Sequence, residues 1–199
     1  LLQKFARCAL KTNNMDNCSR FCHSTTVPAL VSTVGSGVMT TAQTNVEKAD
    51  CILIAGLNLK ETYPLIARRV IRARERGAKV IVIDPRRTVT VESLADIHLQ
   101  IKPGTDVALV NAMLKTILEE GLQDDAFIAG RTSGVEELRA FLEALEIGEL
   151  AERAGVPLDA IREAARTYAQ AKTGCILYNA GVAQHASGIG NIRALADLA

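Results

Sequence analysis

Short apolar runs recur along the chain from residue 51 onward: CILIAG (51–56), KVIVID (79–84), DIHLQI (96–101) and CILYNAG (175–181). Apolar runs of this length, with little polar alternation, are expected of strands covered on both faces. Between them the period changes to that of helices. Residues 63–76 carry apolar Leu65, Ile66, Val70 and Ile71 toward one side and end at Gly77. VALVNAMLKTILE (107–119) follows at once on Thr105 and Asp106, either of which is placed to cap its N-terminus. Residues 123–171 read as small helices, clearest over 158–171 after the turn Gly155-Val156-Pro157. Upstream, residues 1–10 read as amphipathic helix, 11–20 as polar turn, and 27–34 as a short helix running into Gly35-Ser36-Gly37. A last helix follows the loop GVAQHASGIG. Strands alternating with helices predict an α/β fold, a three-layer, doubly wound and mostly parallel sheet of Rossmann-like type.

Composition narrows the function more than the fold. A chain of 199 residues is long enough for one α/β domain, which buries roughly 70% of its extended-chain surface. The net charge of +1 leaves no electrostatic footprint for nucleic acid or a membrane surface. Aromatic residues at 4% supply no stacking platform for single strands. No apolar run approaches the roughly 20 residues of a membrane span. Five cysteines, odd in number and scattered, are not a disulfide framework, so a reducing compartment, the cytoplasm, is the expected home. Cys51 and Cys175 open apolar runs and read as small buried hydrophobes. The first residues, LLQKFARCAL, and the last, GIGNIRALADLA, read as helices cut short, so the chain is expected to be an internal piece of a longer protein.

In such a sheet, ligands bind beyond the carboxyl ends of the strands. Those ends carry Gly56 to Thr62, Asp84-Pro85-Arg86-Arg87, Gly104-Thr105-Asp106 and Ala180 to Gln184. Small residues let the backbone approach a ligand, and helix N-termini offer amide donors to phosphate. Arg86 and Arg87 can pair with phosphate, while Asp84, Asp106 or Glu61 can accept from ribose hydroxyls or a guanine edge. Polar loops also end every parallel sheet without a ligand, and neither G-x-G-x-x-G nor a Walker lysine loop is present. Cys22-His23 is the sharpest pair: a soft thiolate suited to a soft or high-valent metal, beside a side chain that exchanges protons near neutral pH. Cys18 and Cys22 lack the spacing of a structural zinc site. His98 reads as a core histidine with its partner supplied, His185 as a candidate for lining a site, and the arginines of 68–76 as a solvated face.

The segment TNNMDNCSRFCHSTTVPALVSTVGSGVMT (12–40) resembles the active-site stretch of formate dehydrogenase catalytic subunits. These belong to the bis-molybdopterin guanine dinucleotide oxidoreductases, with periplasmic nitrate reductase and dimethyl sulfoxide reductase. The resemblance continues through GLNLKETYP, VIDPRRT, IKPGTDVALVNAML, DDAFIAGRT and GVAQHASGIGNIRAL, and so covers the whole chain. It implies that Cys22 ligates molybdenum or tungsten and that His23 handles a proton during oxidation of formate to carbon dioxide. It further implies that Asn58, Glu61, Asp84, Arg86, Arg87, Gly104, Thr105, Asp106, Ala180 and Gln184 contact one guanine dinucleotide arm of the cofactor. Residues 1–17 would then be the tail of a neighbouring domain and 18–199 the α/β molybdopterin-binding domain. Electrons would leave through a 4Fe–4S cluster of the full-length protein, not bound by this chain, to iron–sulfur or flavin subunits.

Several family features fall outside these residues: the iron–sulfur domain with its cluster cysteines, an active-site arginine, and a second α/β domain for the other pterin arm. Cys8 and Cys18 match no cluster motif and are expected to be structural. Rival readings are a nitrate reductase or formylmethanofuran dehydrogenase subunit, a non-catalytic α/β module, or a hydrolase using Cys22 with His98 or His185. The isolated chain is expected to be inactive and to hold the cofactor weakly or not at all. Molybdenum content after gel filtration checks this; stable retention of the metal would contradict it.

Overall fold

The computed structural model describes residues 1–199. A first turn, α1 (Leu2–Lys4), widens into a π-helix over Phe5–Ala9 and is followed by α2 (Ser19–Cys22), α3 (Thr26–Val34) and a 3-10 helix at Gln43–Lys48. The sheet begins with β1 (Cys51–Ala55), then α4 (Leu59–Thr62), α5 (Pro64–Glu75), β2 (Lys79–Ile83), α6 (Val89–Leu94) and β3 (Ile97–Leu99). Five helices follow before the next strand: α7 (Asp106–Glu119), α8 (Asp125–Arg131), α9 (Val135–Glu143), α10 (Ile147–Ala154) and α11 (Leu158–Ala169). The chain closes with β4 (Gly174–Tyr178), α12 (Ala180–Ala183) and α13 (Gly188–Leu198). All strands are parallel, in the order β3-β2-β1-β4.

The unbroken apolar runs are explained by burial on both sides. Cys51, Leu53, Ala55, Ile81, Ile83 and Leu99 face a core built with α7, α10, α11 and α13. Ile52, Ile54, Val80 and Val82, one residue out of phase, face a second core under α5 and α6. Ile52, Leu53, Ile54, Val80, Ile81 and Val82 are all 0% exposed, so neither face is left to water. Each such side chain contributes roughly 1.5–3 kcal/mol relative to exposure. No helix is long and apolar enough to cross a membrane.

Strand order decides where the loops go. The chain after β1 turns to one face, into α4 and α5, and the chain after β4 turns to the other, into α12 and α13. At that divergence Gly181 N–H donates to the Gly56 carbonyl at 3.1 Å. A Cβ on Gly181 would lie 2.5 Å from the Gly56 carbonyl oxygen, and Gly56 also adopts φ +56. The two backbones approach this closely only because neither residue has a side chain.

The structure corrects several expectations. β3 is confined to residues 97–99, and β4 stops at Tyr178, because residues 180–183 turn into the short helix α12. Leu65 points to solvent; Ala67, Val70 and Ala73 form the buried stripe of α5, with Ile66 and Ile71 at its edges. Thr105 sits at the N-cap of α7 but makes no cap bond, its hydroxyl donating instead to the Lys102 carbonyl at 2.6 Å. The α5 arginines are not simply solvated: Arg69 and Arg72 share Glu47 at 2.8 and 3.1 Å, and Arg74 reaches Asp96 at 3.1 Å. Cys8 and Cys18, expected to be structural, are exposed.

Gly181→Ala is expected to destabilise the chain by about 2 kcal/mol, which lowers Tm by about 4–8 °C for a domain of this size. Thermal unfolding followed by circular dichroism checks this. A variant that melts with the wild type would mean the two loops separate freely.

Candidate functional site

The carboxyl ends of all four strands open onto one cleft of about 330 Å³. Its walls come from Gly56 and Asn58 after β1, Asp84 and Arg86 after β2, Pro103, Gly104 and Asp106 after β3, and Asn179, Ala180, Gly181 and His185 after β4. Ligand sites span about 300–1,000 Å³, so this cleft suits one nucleoside-sized portion of a ligand and not a whole dinucleotide.

Several of the polar wall residues are held in place by neighbours. Asn58 donates to Glu61 and accepts from the buried Thr90 hydroxyl at 2.9 Å, which orients its amide. Asp84 is buried; its Oδ1 accepts from the Arg86 backbone N–H at 2.8 Å, while Oδ2 has no protein partner. The Asp84 loop is pinned from β3: His98 Nε2–H donates to the Asp84 carbonyl at 2.9 Å and Gln100 donates to the Pro85 carbonyl at 3.0 Å. His98 therefore has its partner supplied, as expected, but is half-buried at the sheet edge and not part of the core. Asp106, also buried, begins α7. Burial holds its carboxyl above the ordinary carboxylate range, and its own backbone N–H and His185 pull it partway back. Asn179 donates to the Tyr63 hydroxyl at 3.0 Å, bridging β4 to the start of α5.

Of the positions expected to bind, Asn58, Asp84, Arg86, Gly104, Asp106 and Ala180 line the cleft. Glu61, Arg87, Thr105 and Gln184 do not. Glu61 acts on Asn58 from behind, and Arg87 and Gln184 are exposed. His185, the candidate lining residue, is in the wall. Asn179 escaped the sequence reading because β4 was expected to run on through residue 181, which hid the true strand end.

Cys22 and His23 lie outside the lining of this cleft. Cys22 ends α2, half-buried, and His23 is its exposed C-cap. Desolvation, then a hydrogen bond that the Cys22 thiol donates to Cys18 four residues earlier, holds the Cys22 thiol above its ordinary range. No histidine hydrogen-bonds to Cys22, and the only hydrogen bond of the His98 ring is to Asp84, so no nucleophile–base pair is formed. Cys51, by contrast, is buried in the sheet with its thiol pushed up to about 12 by burial and then by Asp96, which leaves it inert. The turn holding Cys22 is joined to the cleft wall by the Thr25 hydroxyl, which donates to the Ala183 carbonyl at 2.6 Å.

The chain is 48% identical over all 199 residues to the F420-dependent formate dehydrogenase subunit alpha of Methanocaldococcus jannaschii, covering 29% of that protein. It is 42% identical over 199 residues to formate dehydrogenase H of Escherichia coli, covering 28% of it. Among solved structures, acetylene hydratase from Pelobacter acetylenicus superposes with a TM-score of 0.77 at 30% identity, over 88% of this chain and 23% of that one. The chain thus spans under a third of the length of the curated relatives it matches. The family model for molybdopterin oxidoreductase matches residues 1–199, and the chain belongs to that family.

Proposed function

We propose that this chain is part of a molybdenum- or tungsten-dependent formate dehydrogenase and supplies its metal-ligating cysteine. The observation that carries the reading is identity of 42–48%, sustained over the whole chain, to proteins named as formate dehydrogenases. Cys22 would ligate the metal as thiolate, losing its proton on ligation. The chemistry that a bound metal centre would supply is acceptance of the two electrons that formate gives up on becoming carbon dioxide. His23, exposed beside Cys22, would hold the proton released from formate at its imidazole and pass it to solvent.

The cleft has room for the nucleoside end of one guanine dinucleotide arm of a bis-molybdopterin cofactor. Two buried carboxylates, Asp84 with Oδ2 unpartnered and Asp106, are acceptors for ribose hydroxyls and ring N–H donors. Exposed Arg86 at the rim is the residue to meet phosphate, and Gly104 and Ala180 leave backbone within reach. Glu61 would serve by orienting Asn58. Arg87, Thr105 and Gln184, set back from the cleft, would meet only parts of the ligand that extend beyond it.

Residues 1–17 read as the tail of a neighbouring domain, which exposed Leu2, Phe5 and Leu10 support. In the parent protein a 4Fe–4S cluster and iron–sulfur or flavin subunits would carry the electrons onward. Five free cysteines suit a reducing, cytoplasmic setting.

The full-length parent is expected to reduce a viologen dye with formate, and Cys22→Ser to abolish that activity and reduce bound metal. A metal-loaded parent that ignores formate and turns over nitrate would remove the substrate and keep the family. The raised Asp106 carboxyl gives a second test, on stability. Below the ordinary carboxylate range Asp106 is protonated in both folded and unfolded chains, and its ionisation costs stability as pH rises through the raised folded value. Asp106→Asn escapes that cost, so its Tm relative to wild type is expected to climb from acidic to neutral pH. A difference that stays flat, or turns toward the wild type, would show that the folded chain favours ionised Asp106.

A further inference from the structure

The structure assigns Thr25 as a positioning residue that fastens the Cys22-His23 turn to the wall of the cleft. This rests on the reading of Cys22 and His23 as the reacting groups. Thr25 is the N-cap of α3, where a threonine side chain ordinarily accepts from the backbone N–H of the second or third helical residue. The third is Pro28, which has no N–H, and the N–H of the second, Val27, already donates to the His23 carbonyl at 3.1 Å. The Thr25 hydroxyl is thereby released from capping and donates across 158 positions of sequence to the Ala183 carbonyl, at 2.6 Å.

Ala183 is the last residue of α12, whose final carbonyls have no partner within so short a helix. The Val182 carbonyl is taken by the Asn191 amide at 3.0 Å, and the Ala183 carbonyl by Thr25. His185, in the cleft wall, follows two residues later. On the other side, Thr25 is two residues from His23 and three from Cys22. Thr25 is therefore the direct hydrogen bond between the segment that would ligate the metal and the segment that would grip the nucleotide arm. Space at the joint is equally specific. A Cβ on Gly188 would stand 2.2 Å from the Ala183 carbonyl oxygen and 3.0 Å from the Thr25 hydroxyl, so any larger residue pushes the joint open.

The test compares Thr25→Val, Thr25→Ser and Gly188→Ala in the 199-residue chain, following iodoacetamide alkylation of Cys22 and Cys18 by peptide mass spectrometry. Loss of one net hydrogen bond corresponds to a change of about threefold to tenfold. Thr25→Val and Gly188→Ala are each expected to speed Cys22 alkylation by about that factor, with Cys18, already exposed, unchanged. Thr25→Ser, which keeps the hydroxyl, should match the wild type. Equal rates in wild type and Thr25→Val would overturn the assignment, as would equal acceleration of Cys18 and Cys22, which signals general fraying. In the metal-loaded parent, Thr25→Val is expected to lower kcat for formate with KM little changed, and Thr25→Ser to restore it. If the unaltered parent fails to oxidise formate while the alkylation pattern holds, the substrate reading falls and the positioning role of Thr25 stands.

Discussion

Backbone contact between Gly56 and Gly181 is the constraint on which the remaining architecture depends. β1 and β4 are hydrogen-bonded neighbours, yet their continuations leave on opposite faces of the sheet. Such a divergence opens a crevice in any doubly wound sheet. Here its floor is narrowed by two residues without side chains, joined by one hydrogen bond. With the floor in place, four strand ends project their loops around a single volume. Asn58, Asp84, Asp106 and Asn179 become neighbours although up to 121 positions separate them in sequence.

Placement of polar groups around that volume follows from the cost of burying them. A buried carboxylate needs partners, and Asp84 receives one from the Arg86 backbone while keeping an oxygen free toward the cleft. Asp106 is held less comfortably, with burial outweighing its own N–H and His185. Side chains behind the wall do the positioning: Glu61 and Thr90 on Asn58, His98 and Gln100 on the Asp84 loop, Tyr63 on Asn179. Partly satisfied polar groups are thus concentrated at the cleft, while the sheet beneath it is buried on both faces.

The cysteines show how environment sorts identical groups. Cys51 and Cys175 are part of the sheet core, where burial raises their thiols and removes them from chemistry. Cys22 stands on a one-turn helix at the surface, half-buried and reachable, beside an exposed histidine. Its turn is not loose, because Thr25 ties the residues that follow it to α12 and Ser32 of α3 receives a bond from Arg193 of α13 at 3.1 Å.

Most of the fold was legible in the chain, since unbroken apolar runs and helical periods report burial locally. The four strands, α5, α7, α11 and the parallel arrangement were readable for that reason, and so were the strand ends that bring Asn58, Asp84, Arg86, Gly104, Asp106 and Ala180 to the cleft. Less was legible where the outcome depended on distant partners. Glu47 claims two arginines of α5 from 22 and 25 positions away, and nothing in the periodicity of that helix reports it. Asn179 reaches the cleft because β4 stops three residues short of its apolar run, and Thr25 finds Ala183 because α3 packs on α13. Periodicity records whether a residue meets water or core, which is a local property of the chain. Which polar atom meets which is settled only when loops from separate strands share one space, and that is a property of the tertiary structure.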